Sequence, residues 1–92
     1  DEVDLFILDI NLGGRDGRDL CKDLSKAYEK VPFLFISGGD YDDSDMEGLS
    51  KYCIWDFIRK PFSALPFRNR GAVLLRVRGM YKEVLAEKVK TQ

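Results

Sequence analysis

Three polar residues in this chain, Asp9, Ser37 and Lys60, each close a hydrophobic run, and their types and order suggest phosphoryl chemistry. Leu5-Phe6-Ile7-Leu8 leads into Asp9, Phe33-Leu34-Phe35-Ile36 into Ser37, and Trp55-Asp56-Phe57-Ile58-Arg59 into Lys60-Pro61. A carboxylate can carry a phosphoryl group on oxygen, a hydroxyl can donate to one of its oxygens, and an ammonium can balance its charge. Such chemistry requires the three groups to meet. In an open parallel sheet they do so if each ends a strand, because ligands bind in the crevice outside the C-terminal strand ends.

The elements needed to position them can be read along the chain. A strand over Asp4–Asp9 is apolar enough to be buried on both faces. Asn11 to Gly17 reads as a glycine-punctuated loop and Arg18–Lys30 as a helix, with Asp16 as its N-cap and Leu20, Leu24, Ala27 and Tyr28 on its inner face. Pro32 stops that helix before a second strand, Phe33–Ser37. A loop from Gly38 to Asp43, a weakly patterned helix around Ser44–Tyr52 and a third strand over Ile54–Arg59 follow. With three apolar residues, Met46, Leu49 and Tyr52, that middle helix is expected to be poorly held.

The last helix starts near Ser63, tolerates Pro66 in its first turn and runs to the chain end, roughly 35 Å at 1.5 Å per residue. Its inner face is expected to use Val73 or Leu74, Val77, Met80 or Tyr81, and Val84. Leu74, Val77, Tyr81 and Val84 also stand at heptad-like spacing that suits a dimer seam. Strand, loop and helix repeat three times, which predicts an α/β parallel sheet with helices on both faces.

Composition narrows the function. The 92 residues suit one small domain, and the chain is 45% hydrophobic and 34% charged. No apolar run approaches a membrane span and no signal-peptide pattern opens the chain, so a cytoplasmic setting is expected. The absence of histidine excludes imidazole catalysis and a histidine phosphocarrier. Cys21 and Cys53 have no metal-ligand spacing and read as small buried hydrophobes in a reducing compartment. Residues 1–50 carry 13 acids and 5 bases, residues 51–92 only 3 acids and 10 bases. No aromatic interleaving accompanies the bases, so they read as a solvated helix face rather than a nucleic-acid surface.

At this point the residues resemble a known family, the CheY-like receiver domain of two-component response regulators. Asp4-Leu5-Phe6-Ile7-Leu8-Asp9-Ile10-Asn11-Leu12-Gly13-Gly14-Arg15-Asp16-Gly17 resembles its phosphoacceptor strand and loop, with Gly13 where a proline is usual. Phe35-Ile36-Ser37-Gly38 is similar to its hydroxyl strand, and Trp55-Asp56-Phe57-Ile58-Arg59-Lys60-Pro61-Phe62 to its lysine strand. The resemblance implies a flavodoxin-like fold of which residues 1–80 supply the last three β-α units, with 81–92 as a helical extension or linker.

The resemblance further implies that Asp9 accepts a phosphoryl group from a sensor histidine kinase or phosphotransfer protein, with Ser37, Gly38 and Lys60 around it. Ser37 and Phe57 would form the switch. Mg²⁺ would be held by Asp9 and the backbone carbonyl of Asn11, and the chain would act as a phosphoacceptor rather than an enzyme. Nucleic acid would be met only through a separate output domain.

The family's sheet has five strands, and its first ends in an acidic pair that completes the metal site. Asp1, Glu2 and Asp4 cannot serve, since Asp4 lies roughly 16 Å from the far end of its own strand at 3.3 Å per residue. Asp40, Asp42 and Asp43 lie on the correct side and are candidates to replace the pair. An uncovered first strand predicts a homodimer through the sheet edge or the last helix.

Two other functions are open. One is a degenerate receiver acting as an interaction or dimerisation module without phosphorylation. The other is a phosphatase of the haloacid-dehalogenase type, which wants an aspartate where Asn11 stands.

Overall fold

The computed structural model describes residues 2–38 and 46–90. Three parallel strands, β1 (Phe6–Asp9), β4 (Phe33–Ser37) and β5 (Trp55–Arg59), form a sheet in the order β1-β4-β5. Phe6 is paired with Phe33 and Phe33 with Trp55, so the strands start level and also end level. Helix α1 (Gly17–Ala27) connects β1 to β4 across one face, and α2 (Ala64–Lys90) lies on the other.

Side-chain alternation along the strands divides the core. Phe6, Leu8, Phe33, Phe35, Trp55 and Phe57 face Cys21 and Leu24 of α1, together with Met46 and Leu49. Leu5, Leu34, Ile36, Ile54 and Ile58 face Phe67 and Leu74 of α2. β4 sits between the other two strands and is apolar on both faces, as a central parallel strand must be. Phe33, Leu34 and Phe35 are fully buried.

The expected loop Asn11–Gly17 contains a small hairpin, β2 (Asn11–Leu12) against β3 (Arg15–Asp16). Gly13 and Gly14 both have positive φ, 59° and 92°, the geometry a two-residue hairpin turn needs and a proline could not adopt. Asp16 caps α1 as expected, its carboxylate accepting from the Arg18 N–H at 2.8 Å. α1 ends at Ala27, short of the expected Lys30, and Lys30 takes a left-handed φ of 60°. Of the expected inner face, Leu24 packs into the core and Leu20 is half-buried, whereas Ala27 and Tyr28 are exposed; the buried positions are Gly17 and Cys21. The Tyr28 ring meets Phe6 edge-on at 5.1 Å.

The helix expected over Ser44–Tyr52 is, among its described residues, a 3₁₀ turn at Leu49–Lys51 preceded by Gly48 at φ 90°. It is firmly anchored, since Met46 and Leu49 are both 3% exposed. α2 continues through residue 80 without a break, 27 residues or roughly 40 Å in all. Leu74 is buried and Val77 and Tyr81 are half-buried, so three members of the expected dimer seam serve packing within the chain, while Val73, Met80 and Val84 are exposed. No described helix is long and apolar enough to cross a membrane.

Candidate functional site

The level strand ends bring the predicted residues to one rim. Asp9 is the last residue of β1 and is paired with Ile36, Ser37 is the last of β4 and is paired with Arg59, and Lys60 follows Arg59 directly. Lys60 Nζ donates to Asp9 Oδ2 at 2.7 Å across 51 positions of sequence. The Lys60 N–H donates to the Ser37 carbonyl at 2.7 Å, fixing the lysine backbone against the end of β4. Ser37 is 2% exposed beneath this rim.

Local backbone geometry places Asp9. Asp9 Oδ1 accepts from the Asn11 N–H at 2.9 Å, the two-residue reach of an aspartate turn. Ile10 N–H donates to the Ile36 carbonyl and Gly17 N–H to the Ile10 carbonyl, folding the loop and the start of α1 back onto the strand end. A side chain at Gly17 would put its Cβ 2.4 Å from the Asp9 carbonyl oxygen, so only glycine permits this approach. Sequence reasoning treated Gly17 as loop punctuation; its position one residue after a helix-capping aspartate was the available signal. At Gly38 a Cβ would rest 3.7 Å from Lys60 Cδ, an ordinary contact, which places this position directly beside the lysine stem.

The Lys60 hydrogen bond, helped by the Asn11 N–H and by the lysine charge, holds the Asp9 carboxyl below the usual carboxylate range despite some desolvation. Asp9 is therefore ionised at neutral pH. Its side chain is 32% exposed and can be reached from solvent. An ionised, accessible carboxylate with an ammonium on one oxygen can act as a nucleophile toward a phosphoryl group.

The other candidates fall elsewhere. Phe57 lies two residues before Arg59 on β5, half-buried in the core facing α1, with the Arg59 guanidinium 5.6 Å from its ring centroid. Asp40, Asp42 and Asp43 lie outside the described residues. Asp4 is at the opposite end of β1, paired with Arg78 at 3.4 Å and with Lys82 at 3.5 Å on α2, and Glu2 also pairs with Lys82. As expected, then, neither can reach Asp9. Sequence reasoning missed that Cys21 and Cys53, 32 positions apart, meet with their Sγ atoms 2.8 Å apart.

Comparison with known proteins agrees with this geometry. The model of the response regulator receiver domain matches residues 1–70. The regulatory protein VirG of Agrobacterium tumefaciens (strain 15955) is 38% identical over 76 residues, 83% of this chain and 28% of VirG. VirG of Agrobacterium fabrum (strain C58) is 37% identical over 76 residues, 83% of this chain and 30% of that protein. Among solved structures, NtrX from Brucella abortus superposes with a TM-score of 0.77 at 28% identity, covering 92% of this chain and 20% of NtrX. The receiver domain of the Francisella response regulator 1452 superposes with a TM-score of 0.53 at 27% identity, covering 91% of this chain and 64% of that one.

A parallel sheet with an Asp–Lys pair and a serine at its C-terminal rim, matched over most of its length by that family's model, defines a receiver-type α/β domain. The chain belongs to the response regulator receiver family of two-component systems. It spans about three-tenths of the length of the curated relatives it matches.

Magnesium is the metal the family implies. Asp9 offers a carboxylate and Asn11 a backbone carbonyl, hard oxygen donors of the kind Mg²⁺ takes while keeping several waters. No group of three or more acidic, histidine or cysteine side chains that could hold a metal occurs among the described residues. The two donors fit an open, largely hydrated ion rather than an all-protein cage.

Proposed function

We propose that this chain is a phosphoacceptor: Asp9 takes a phosphoryl group from the phosphohistidine of a sensor kinase or phosphotransfer protein in the cytoplasm. A bond forms between an Asp9 carboxylate oxygen and phosphorus while the P–N bond to the donor imidazole breaks. Lys60 moves its charge from the free carboxylate to a phosphoryl oxygen, and the Ser37 hydroxyl donates to another. Gly38, lacking a side chain, leaves space beside the Lys60 stem. Mg²⁺, held by Asp9 and the Asn11 carbonyl, would offset the charge of the incoming oxygens.

The group is carried, not turned over, so the domain is a switch component rather than an enzyme. Withdrawal of Ser37 toward the phosphoryl group would let Phe57 turn inward and alter the surface around β5 and α2. Self-association through the β1 edge or α2 is the accompanying expectation. The observation that supports this reading most is the 2.7 Å contact between Lys60 Nζ and Asp9 Oδ2.

The second reading is an interaction module that is never phosphorylated. Incubation with acetyl phosphate and Mg²⁺, followed by peptide mass mapping, separates the two. A base-labile phosphoryl gain on Asp9, absent in Asp9→Asn, is expected. An unmodified chain would leave the interaction module as the better reading.

A further inference from the structure

The function proposed above makes no use of the two cysteines, yet the fold brings them together. Cys21 is in the middle of α1 and completely buried; Cys53 lies two residues before β5 and is half-buried. Their sulfurs are 2.8 Å apart, both as free thiols, with Cys21 donating to Cys53. The two are not equally accessible. Cys53 is on the wall of a cleft of about 330 Å³ shared with Tyr28, Lys30, Lys51, Tyr52 and Tyr81, whereas Cys21 is not on that wall. Lys30 and Lys51 outweigh Glu29 on the lining, leaving the cleft net positive and suited to an anionic reagent.

We propose that Cys21 and Cys53 form a reversible thiol–disulfide site that takes small anionic disulfides of the glutathione type, with Cys53 reacting first and Cys21 resolving. In the first step the Cys53 thiolate attacks one sulfur of glutathione disulfide. A Cys53–glutathione bond forms, the glutathione S–S bond breaks, and glutathione thiolate leaves. In the second step the Cys21 sulfur attacks the Cys53 sulfur, the bond from Cys53 to glutathione breaks, and the Cys21 proton passes to the departing glutathione thiolate. Both cysteines are oxidised and one glutathione disulfide is reduced to two glutathione thiols, so electrons balance.

The order of attack has a chemical basis beyond access. The hydrogen bond from Cys21 holds the Cys53 thiol below its ordinary pKa, against its burial, while the same contact and burial push Cys21 upward. The resulting bridge would tie the middle of α1 to the segment that leads into β5, the strand that ends at Lys60.

The test exposes the chain to glutathione buffers from reducing to oxidising, quenches with acid, alkylates and maps the peptides. In the wild type the expected product is an intramolecular Cys21–Cys53 disulfide, reversed by excess reduced glutathione. It should raise the Tm by about 10 °C or more through loop closure. Cys21→Ser is expected to accumulate a Cys53–glutathione mixed disulfide, and Cys53→Ser to leave Cys21 unmodified while folded.

Circular dichroism before oxidation establishes that each variant is folded, and the wild-type result is decisive without them. Two free thiols in the folded, oxidised wild type would overturn the proposal. So would disulfides formed only between molecules, or Cys21 in folded Cys53→Ser reacting as fast as Cys53 does in Cys21→Ser. None of these outcomes depends on whether Asp9 is phosphorylated.

Discussion

The two faces of the sheet are built to different degrees of completion. Facing α1, aromatic rings run across the sheet, Phe6 stacked on Phe33 at 5.1 Å, Phe33 on Phe35 at 6.2 Å, and Phe35 meeting Trp55 edge-on at 6.5 Å. Cys21, Met46 and Leu49 seal them from above. On the opposite face α2 covers β4 and β5, burying Leu34, Ile58 and Leu74, while Ile7 of β1 remains 48% exposed. The first face is closed chiefly by apolar packing. The second is held partly by ion pairs, the well-exposed Arg70 with Asp56 at 3.2 Å, worth little in water, and the more sheltered Arg78 with Asp4 at 3.4 Å. Cohesion should therefore reside chiefly on the α1 face, and the rim site inherits its rigidity from there.

Truncating each face in turn tests that asymmetry. Phe33→Ala or Phe35→Ala should cost about 3–5 kcal/mol, enough to unfold a small domain, because a ring with no exposure leaves a cavity the sheet cannot collapse into. Leu74→Ala should cost about 2–3 kcal/mol, since one side of α2 is open to solvent and can relax. Denaturant titration ranks them, and equal losses would erase the asymmetry.

The Asp9–Lys60 pair spans the rim and contributes less. Because the folded-state pKa of Asp9 is lowered from 3.8, the unfolded chain binds protons more readily in the window below that value. The stabilisation is therefore present above about pH 4 and fades as pH falls through the folded-state pKa. With Lys60 49% exposed it should stay under about 1 kcal/mol. Comparing wild type with Asp9→Asn from pH 6 down to pH 2 should show their stability difference shrinking as pH falls through that window; a constant difference would contradict the assignment.

The smallest stability effect belongs to the uncovered face. Ile7→Thr should change stability by no more than about 0.5 kcal/mol, yet shift sedimentation at tens of micromolar from dimer toward monomer. Monomeric behaviour of both chains would show that this face does not join copies.

The sequence foretold the site better than it foretold its surroundings. Runs ending in Asp9, Ser37 and Lys60 are a local signal, and parallel pairing then fixes their common rim without any side-chain detail. The Gly13-Gly14 hairpin went unread because a two-residue ladder carries no periodicity, and the shortened α1 because its end is set by the turn at Lys30. The inner face of α1 was legible in Leu20 and Leu24 but not in Gly17 and Cys21, the small residues that close helix–sheet contact needs, and Ala27 and Tyr28 are exposed. The meeting of Cys21 with Cys53 is a long-range consequence of packing, and neither cysteine's neighbours announce it. The 3₁₀ turn at Leu49–Lys51 shows that two well-placed apolar residues can anchor a segment whose pattern reads as weak.

The central claim is that Asp9, Ser37 and Lys60 share one small anion. A structure of the chain with Mg²⁺ and beryllofluoride, a mimic of the acyl phosphate, tests it most directly. The account predicts beryllium bonded to an Asp9 oxygen, Lys60 Nζ drawn from Asp9 Oδ2 to one fluorine, and the Ser37 hydroxyl donating to another. A mimic bound elsewhere, or Lys60 still paired with a bare Asp9 at saturating beryllofluoride, would contradict it.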